Sequence, residues 1–198
     1  MAVHNPVSNL KLGAGIAPVP ALLAAGATVA IGSDGASSND TQNMFETLKM
    51  SALVHRVAGP PSTWPSAADA LRMCWRGGAA ALREPVGRIA PGHRADLVVL
   101  AEHRFAHGPA AQLAHQLVYA ELGASVDTVV AGGKIVVRSG RVVSIDEDAL
   151  WAEARHVIDR MWADLPGRLR RFEELRPMLE ELEAAVGAVP LAFARCCG

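Results

Sequence analysis

The hydrophobic pattern of the first forty residues predicts a strand, a helix and a second strand in succession. Met1–His4 is typical of the end of a strand, and the Leu- and Ala-rich stretch Val19–Ala25 predicts a short helix. Thr28–Ile31 is apolar or β-branched without alternation, which indicates a strand buried on both faces. We expect a loop over Val7–Pro20, which Ser-Asn, Gly and Pro interrupt. This order predicts a βαβ unit with a parallel sheet.

Two further helices are indicated by apolar residues at a period near 3.6. The first runs to about Val57, and Ser37–Thr41 offers several candidate N-caps for it. The second runs over Ser66–Trp75 with Asp69 in capping-box position, and Gly77–Gly78 is expected to break it.

The pattern changes at Val86, after which short strands and glycine turns dominate. A turn and then a strand ending at Leu100 come first, and Ala114–Ala120 is compatible with either a short helix or a strand. Gly-Gly and Ser-Gly turns then separate three strands that predict a β-meander. The three strands are Val126–Val130, Lys134–Val137 and Arg141–Val143. This block predicts a separate small sheet domain.

The remainder of the chain is predicted to be helical. Asp146 can cap a helix over Glu147–Asp164, Pro166–Gly167 is expected to interrupt it, and Leu169–Val186 continues the pattern. The acidic residues of the last segment indicate a solvated face.

Composition narrows the classes of partner and compartment. A net charge of -1 and 5% aromatic residues disfavour nucleic acid and anionic membranes as partners. No apolar run reaches membrane-spanning length, and the first residues lack the pattern of a signal peptide. Three cysteines without framework spacing favour a reducing cytoplasm, and the pair Cys196–Cys197 indicates no metal site. Because the chain starts within a strand pattern, we expect a fragment of a longer protein.

Candidate chemistry concentrates where Gly-Ser-Asp-Gly follows the buried strand. Asp34 lies at the carboxyl end of that strand, where α/β folds place their catalytic groups. A buried carboxylate there would need a partner or a metal, although a turn or helix cap is the alternative interpretation. His4, at the end of the preceding strand, is the only plausible second ligand, since His55 is expected on a helix surface. No His-x-His, P-loop, Gly-x-Ser-x-Gly or dinucleotide fingerprint occurs.

Four stretches together resemble the amidohydrolase superfamily. They are His4–Pro20, Gly32–Asn39, Pro91–Val99 and Val129–Val136. The branch that they resemble contains methylthioadenosine/S-adenosylhomocysteine deaminases, with guanine-type deaminases and triazine hydrolases beside it. The resemblance covers about residues 1–145 in unbroken order.

The resemblance implies an α/β fold: the last strands and helices of a metal-dependent (β/α)8 barrel, part of a small β-sandwich and a helical C-terminal tail. It divides the chain into barrel (1–85), sandwich (86–145) and helical extension (146–198). In this family a divalent metal, usually zinc and sometimes iron, activates water that attacks a ring carbon bearing an amino group or halide. The resemblance implies that Asp34 binds the metal and shuttles the proton. It places Ser38 near the substrate, with His4 and Asn5 as further substrate-binding candidates.

The family's other metal-binding and acid/base residues precede the motifs found in this chain. We therefore expect residues 1–198 alone to fold poorly and to have no catalytic turnover. The favoured parent is a deaminase acting on a small heteroaromatic amine, cytoplasmic and homo-oligomeric, with no nucleic acid or membrane partner. Three alternatives stay open: a triazine-type hydrolase, a remnant that serves only binding or assembly, and a small α/β binding domain.

Overall fold

A computed structural model of the chain describes residues 1–101 and 112–188. The sequence prediction for Cys196 and Cys197 lies outside these residues. Within them, no helix combines the length and hydropathy needed to cross a membrane. The chain forms two compact units, one comprising Met1–Arg141 and one that begins at Val142.

Within the described residues, eight α-helices and six strands carry the labels used below. The helices are α1 (Pro6–Lys11), α2 (Val19–Ala24), α3 (Ala36–Asn39), α4 (Met44–Leu53), α5 (Ala67–Arg72), α6 (Gly78–Leu82), α7 (Leu113–Tyr119) and α8 (Glu147–Gly187). The strands are β1 (Ala2–His4), β2 (Val29–Ile31), β3 (Leu97–Leu100), β4 (Val126–Ala131), β5 (Lys134–Arg138) and β6 (Arg141–Val142). Short 3₁₀ turns cover Val54–Val57 and Pro61–Thr63, and a π-helical turn covers Met73–Gly77.

The predicted βαβ unit is confirmed. β1 and β2 pair in parallel, with His4 opposite Ile31, and α2 lies between them in the chain. All three residues of β2 are buried, as the unbroken apolar run predicted. The expected loop is partly wrong, because α1 occupies Pro6–Lys11. Proline fits the first turn of a helix, where its missing N–H has no intrahelical partner in any case.

The apolar core of the first unit forms where β2 meets the helices α4, α5 and α7. Its buried members are Val19, Val29, Ile31, Leu48, Ala52, Ala70, Leu71, Met73 and Val118. The predicted capping box at the start of α5 is confirmed, since Ser66 Oγ accepts from the Asp69 N–H at 3.2 Å. The cap of α4 is Asn43 rather than a residue of Ser37–Thr41, because the short helix α3 uses most of that stretch.

The predicted break at Gly77–Gly78 is wrong, because the helix continues from α5 through the π-helical turn into α6. Gly77 allows the turn to lie directly against β2. A Cβ on Gly77 would collide with the Val29 carbonyl oxygen. The glycine therefore serves close packing of helix on strand and does not end the helix.

The second sheet contains four strands in the order β3-β4-β5-β6. β3 pairs antiparallel with β4, and β4 pairs antiparallel with β5, which confirms the predicted meander and its preceding strand. Ala114–Ala120, for which helix and strand were both open, is helical in α7.

The second unit consists mainly of α8, a single helix of 41 residues with Asp146 as its N-cap. The predicted cap is confirmed: Asp146 Oδ1 accepts from the N–H groups of Asp148 and Ala149 at 3.1 and 3.0 Å. The predicted interruption is wrong, because Pro166 and Pro177 both lie inside the helix. A proline removes one intrahelical hydrogen bond, and long flanking helical segments on both sides can tolerate that loss.

Candidate active site

Asp34 lies three residues beyond β2 and has a backbone φ of +63°. Its side chain is exposed, although the strand that leads to it is buried. A non-glycine residue rarely adopts positive φ, and such a conformation persists only where neighbouring groups hold it. The aspartate is therefore fixed at the carboxyl end of the parallel pair β1–β2.

A hydroxyl from a different element binds the Asp34 carboxylate. Ser8 Oγ, on α1, donates to Asp34 Oδ2 at 2.6 Å. This bond lowers the pKa of Asp34 below its ordinary value, with smaller contributions in the same direction from the Ser38 hydroxyl and the Gly35 N–H. Ser38 Oγ also lies 3.1 Å from the Gly35 carbonyl oxygen. Its single hydrogen serves one acceptor at a time, so Ser8 is the dedicated donor to the carboxylate.

We call Ser33–Gly35 the Asp34 turn. The backbone carbonyl of each of its three residues accepts a hydrogen bond from a side chain further along the chain. Asn39 Nδ2 donates to the Ser33 oxygen at 2.6 Å, and Gln42 Nε2 donates to the Asp34 oxygen at 3.1 Å. Ser38 Oγ donates to the third carbonyl, that of Gly35. We name Ser38, Asn39 and Gln42 the carbonyl clamp, because together they hold the backbone that presents the carboxylate.

Two histidines form a buried pair, His4 at the end of β1 and His55 in the 3₁₀ turn Val54–Val57. The His4 and His55 rings lie with their centroids 5.3 Å apart, and the residues are 1% and 7% exposed. Burial, and secondarily the neighbouring His55, lower the pKa of His4 to about 4, and burial also lowers the pKa of His55. The pair is thus neutral near pH 7. The expectation that His55 lies on a helix surface is wrong, because its 3₁₀ turn packs inward.

The four site residues predicted from sequence gather around the ends of β1 and β2. Ser38 and Asp34 adjoin, while His4 is buried opposite Ile31. Asn5 Oδ1 is buried against Gly32, where an added Cβ would collide with it. Contact of His4, Asn5 or Ser38 with a substrate stays a prediction.

Sequence reasoning missed Ser8, Asn39, Gln42 and the inward position of His55. The available signal was the clustering of short polar residues at both strand ends, since such side chains bond to nearby backbone.

A divalent metal fits Asp34 as one ligand. A carboxylate offers about four lone-pair sites, and the donors from Ser8 and Gly35 leave room for a cation. Within residues 1–101 and 112–188, no three His, Cys, Asp or Glu side chains lie close enough to hold a metal ion. A catalytic zinc takes about three protein ligands, so Asp34 could supply only part of such a site.

Comparison with known proteins identifies the family. The amidohydrolase family model matches residues 1–136. The chain therefore belongs to the amidohydrolase family, as its motifs predicted.

The chain is similar to curated deaminases of this family. It is 45% identical over 154 residues to a 5-methylthioadenosine/S-adenosylhomocysteine deaminase of Pelotomaculum thermopropionicum, covering 77% of this chain and 35% of the relative. It is 38% identical over 156 residues to a 5'-deoxyadenosine deaminase of Methanocaldococcus jannaschii, covering 79% of this chain and 37% of that relative. The chain thus spans well under half the length of these relatives.

Solved structures show the same fold. The chain matches an adenosine deaminase from Xanthomonas campestris with bound zinc at a TM-score of 0.75 and 34% identity, covering 82% of this chain and 38% of that one. It also matches the zinc-bound atrazine chlorohydrolase TrzN of Arthrobacter aurescens, at a TM-score of 0.68 and 33% identity. That match covers 79% of this chain and 35% of the chlorohydrolase chain. The predicted fold class, part of an α/β barrel of this superfamily with a helical tail, is confirmed.

Proposed function

We propose that residues 1–198 form the C-terminal part of a metal-dependent amidohydrolase that removes an amino group from a purine or related heteroaromatic ring. The observation that carries this proposal is the Asp34 carboxylate, held at the end of β2 by Ser8 in a chain of the amidohydrolase family. Family membership supplies the class of reaction, and the held carboxylate supplies a group able to perform part of it.

In this proposal Asp34 has two roles. Its ionised carboxylate is one ligand of a divalent cation, and hydrogen bonding keeps it ionised by lowering its pKa. When bound, such a metal activates water at neutral pH. The oxygen that accepts from Ser8, Oδ2, has a second lone pair, and that lone pair can accept the proton that the attacking water loses.

Zinc is the proposed metal, because the similar adenosine deaminase and chlorohydrolase structures contain it. A carboxylate suits zinc as part of a mixed oxygen and nitrogen ligand set. The other ligands would come from parts of the whole protein outside residues 1–198.

An adenosine-type nucleoside is the proposed substrate class. The support is the naming of relatives at 45% and 38% identity as deaminases of methylthioadenosine, S-adenosylhomocysteine and 5'-deoxyadenosine. A triazine-type hydrolase is the second candidate, favoured by the structural match to atrazine chlorohydrolase. The leaving group separates the two, since the first releases ammonia and the second releases chloride.

The domain division 1–85, 86–145 and 146–198 is part of the proposal. The separate sheets β1–β2 and β3–β6 support the first boundary, and the second compact unit beginning at Val142 supports the next. We further propose a homo-oligomeric, cytoplasmic whole protein; exposed apolar residues of α8 such as Trp151 and Phe172 support the oligomer.

The test is expression of the complete reading frame that contains residues 1–198, with metal analysis and assays for ammonia and chloride. The panel contains adenosine derivatives, guanine, 8-oxoguanine and chlorinated triazines. We expect one bound metal per chain and ammonia from an adenosine derivative. Asp34→Asn should abolish turnover and spare the fold, while Asp159→Asn, at an exposed aspartate of α8, should retain turnover. Absence of both metal and product would refute the proposal, and turnover in Asp34→Asn would refute the role of Asp34.

A further inference from the structure

Ser8 bonds to Asp34 from an independent part of the fold. It is 1% exposed and lies 26 residues before the aspartate, on α1, which follows β1 directly. The two strand ends are tied together by the Gly32 N–H, which donates to the His4 carbonyl at 3.0 Å. α1 is also tied to the segment after Asp34 by the ion pair of Lys11 with Asp40 at 2.7 Å. These links fix where the Ser8 hydroxyl can reach.

The hydroxyl of a serine inside a helix commonly donates to the carbonyl four residues earlier. Ser51 in α4 does so, since its Oγ donates to the Thr47 carbonyl at 2.8 Å. Ser8 differs, because its hydroxyl donates to an exposed carboxylate. The carbonyl four residues before it, that of His4, already accepts from Gly32. The bond of Ser8 therefore serves the Asp34 side chain and not the helix.

We propose that Ser8 is a positioning residue for the reaction, which orients the Asp34 carboxylate toward the metal; this rests on the proposed function. A hydroxyl bonded to a carboxylate at 2.6 Å is a charge-assisted bond, about twice as strong as a neutral one. Ligating carboxylates are generally held by such outer hydrogen bonds, and losing one typically reduces metal affinity or activity about 10–100-fold.

Ser8 and the carbonyl clamp act on different parts of Asp34. The clamp fixes the backbone of the Asp34 turn, whereas Ser8 holds the carboxylate itself. With one oxygen engaged by Ser8, the carboxylate keeps a single rotational orientation. The other oxygen is then presented to the cation in one direction, which is what a zinc ligand requires.

The experiment compares two matched variants, Ser8→Thr and Ser8→Val, in the complete protein loaded with Co²⁺ in place of zinc. Thr and Val have the same shape, but only Thr retains the hydroxyl. Ser8→Ala is the smallest deletion, and Ser37→Ala is the control, because Ser37 is an exposed serine on α3. Metal affinity, the visible Co²⁺ spectrum, kcat and KM are measured for each, and thermal unfolding reports the fold.

We expect Ser8→Val and Ser8→Ala to lose about 10–100-fold in metal affinity and kcat, with an altered Co²⁺ spectrum and little change in KM. Ser8→Thr should recover most of the loss relative to Ser8→Val, and Ser37→Ala should match the wild type. If the wild type is active and Ser8→Val equals Ser8→Thr in affinity, spectrum and kcat, the assignment of Ser8 fails while the proposed function stands. If the wild type binds no metal and has no activity, the proposed function fails and the assignment fails with it.

Discussion

The Cα of Gly77 lies so close to the backbone of Val29 that an added Cβ would collide with the Val29 carbonyl oxygen and would stand 2.7 Å from the Ala30 Cα. Real Cβ contacts are not that short, so the helix can lie on β2 only without a side chain at this position. The next residue, Gly78, has helical φ and ψ, and a Cβ added there would meet no atom within 4 Å.

These neighbours therefore make a matched pair for stability measurements. Gly77→Ala should destabilise the protein by about 1–3 kcal/mol or more, because the helix must move off β2. Gly78→Ala should be neutral or stabilising by up to about 1 kcal/mol, because alanine has the higher helix propensity. Denaturant unfolding of both variants checks this, and equal destabilisation would contradict the packing described for Gly77.

The buried histidine pair predicts loss of stability in acid. The pKa of His4 falls from 6.5 to about 4 on folding, so between these values the unfolded chain binds more protons. The stability contributed by neutral His4 is present above pH 6.5 and is lost as the pH falls toward 4. Its full size is on the order of 3 kcal/mol, and His55 acts in the same direction.

The measurement is the unfolding temperature between pH 7.5 and 4.5. His4→Gln should flatten the acid decline, because glutamine does not titrate, whereas His156→Gln on α8 should leave it unchanged. A decline equally steep in His4→Gln and wild type would show that His4 is not held neutral by the fold.

The carbonyl clamp predicts unequal effects for its two amide members. Asn39 is 3% exposed and donates at 2.6 Å, so Asn39→Ala leaves the Ser33 carbonyl without its partner and should cost about 1–3 kcal/mol. Gln42 is exposed and donates at 3.1 Å, so water can replace it, and Gln42→Ala should change stability by less than about 0.5 kcal/mol. Equilibrium unfolding compares them, and a larger effect at Gln42 would contradict the clamp.

Local patterns in the sequence predicted the elements that depend on neighbouring residues alone. The apolar run before Gly32 identified a buried strand, Ser66 and Asp69 identified a capping box, and Asp146 identified a helix start. In each case the stabilising contact lies within four residues or follows from the period of the strand.

The misses arise where distant contacts override local preference. A glycine at position 77 predicts the end of a helix from its low helix propensity. Only its contact with β2 explains why a glycine lies inside the helix. His55 looks like a surface residue by position, and only packing beside His4 places it inside. Ser8 lies 26 residues from Asp34, so no short-range pattern could join them. At Pro166 the local sequence predicted the end of a helix, but α8 continues through the proline.

The central claim is that Asp34 binds a metal, and an anomalous-scattering map at the zinc edge from crystals of the complete protein tests it most directly. The account predicts an anomalous peak about 2.0–2.2 Å from one Asp34 carboxylate oxygen, with Ser8 bonded to the other. A zinc peak elsewhere, with the Asp34 side chain directed away from it or engaged only in capping α3, would contradict the account.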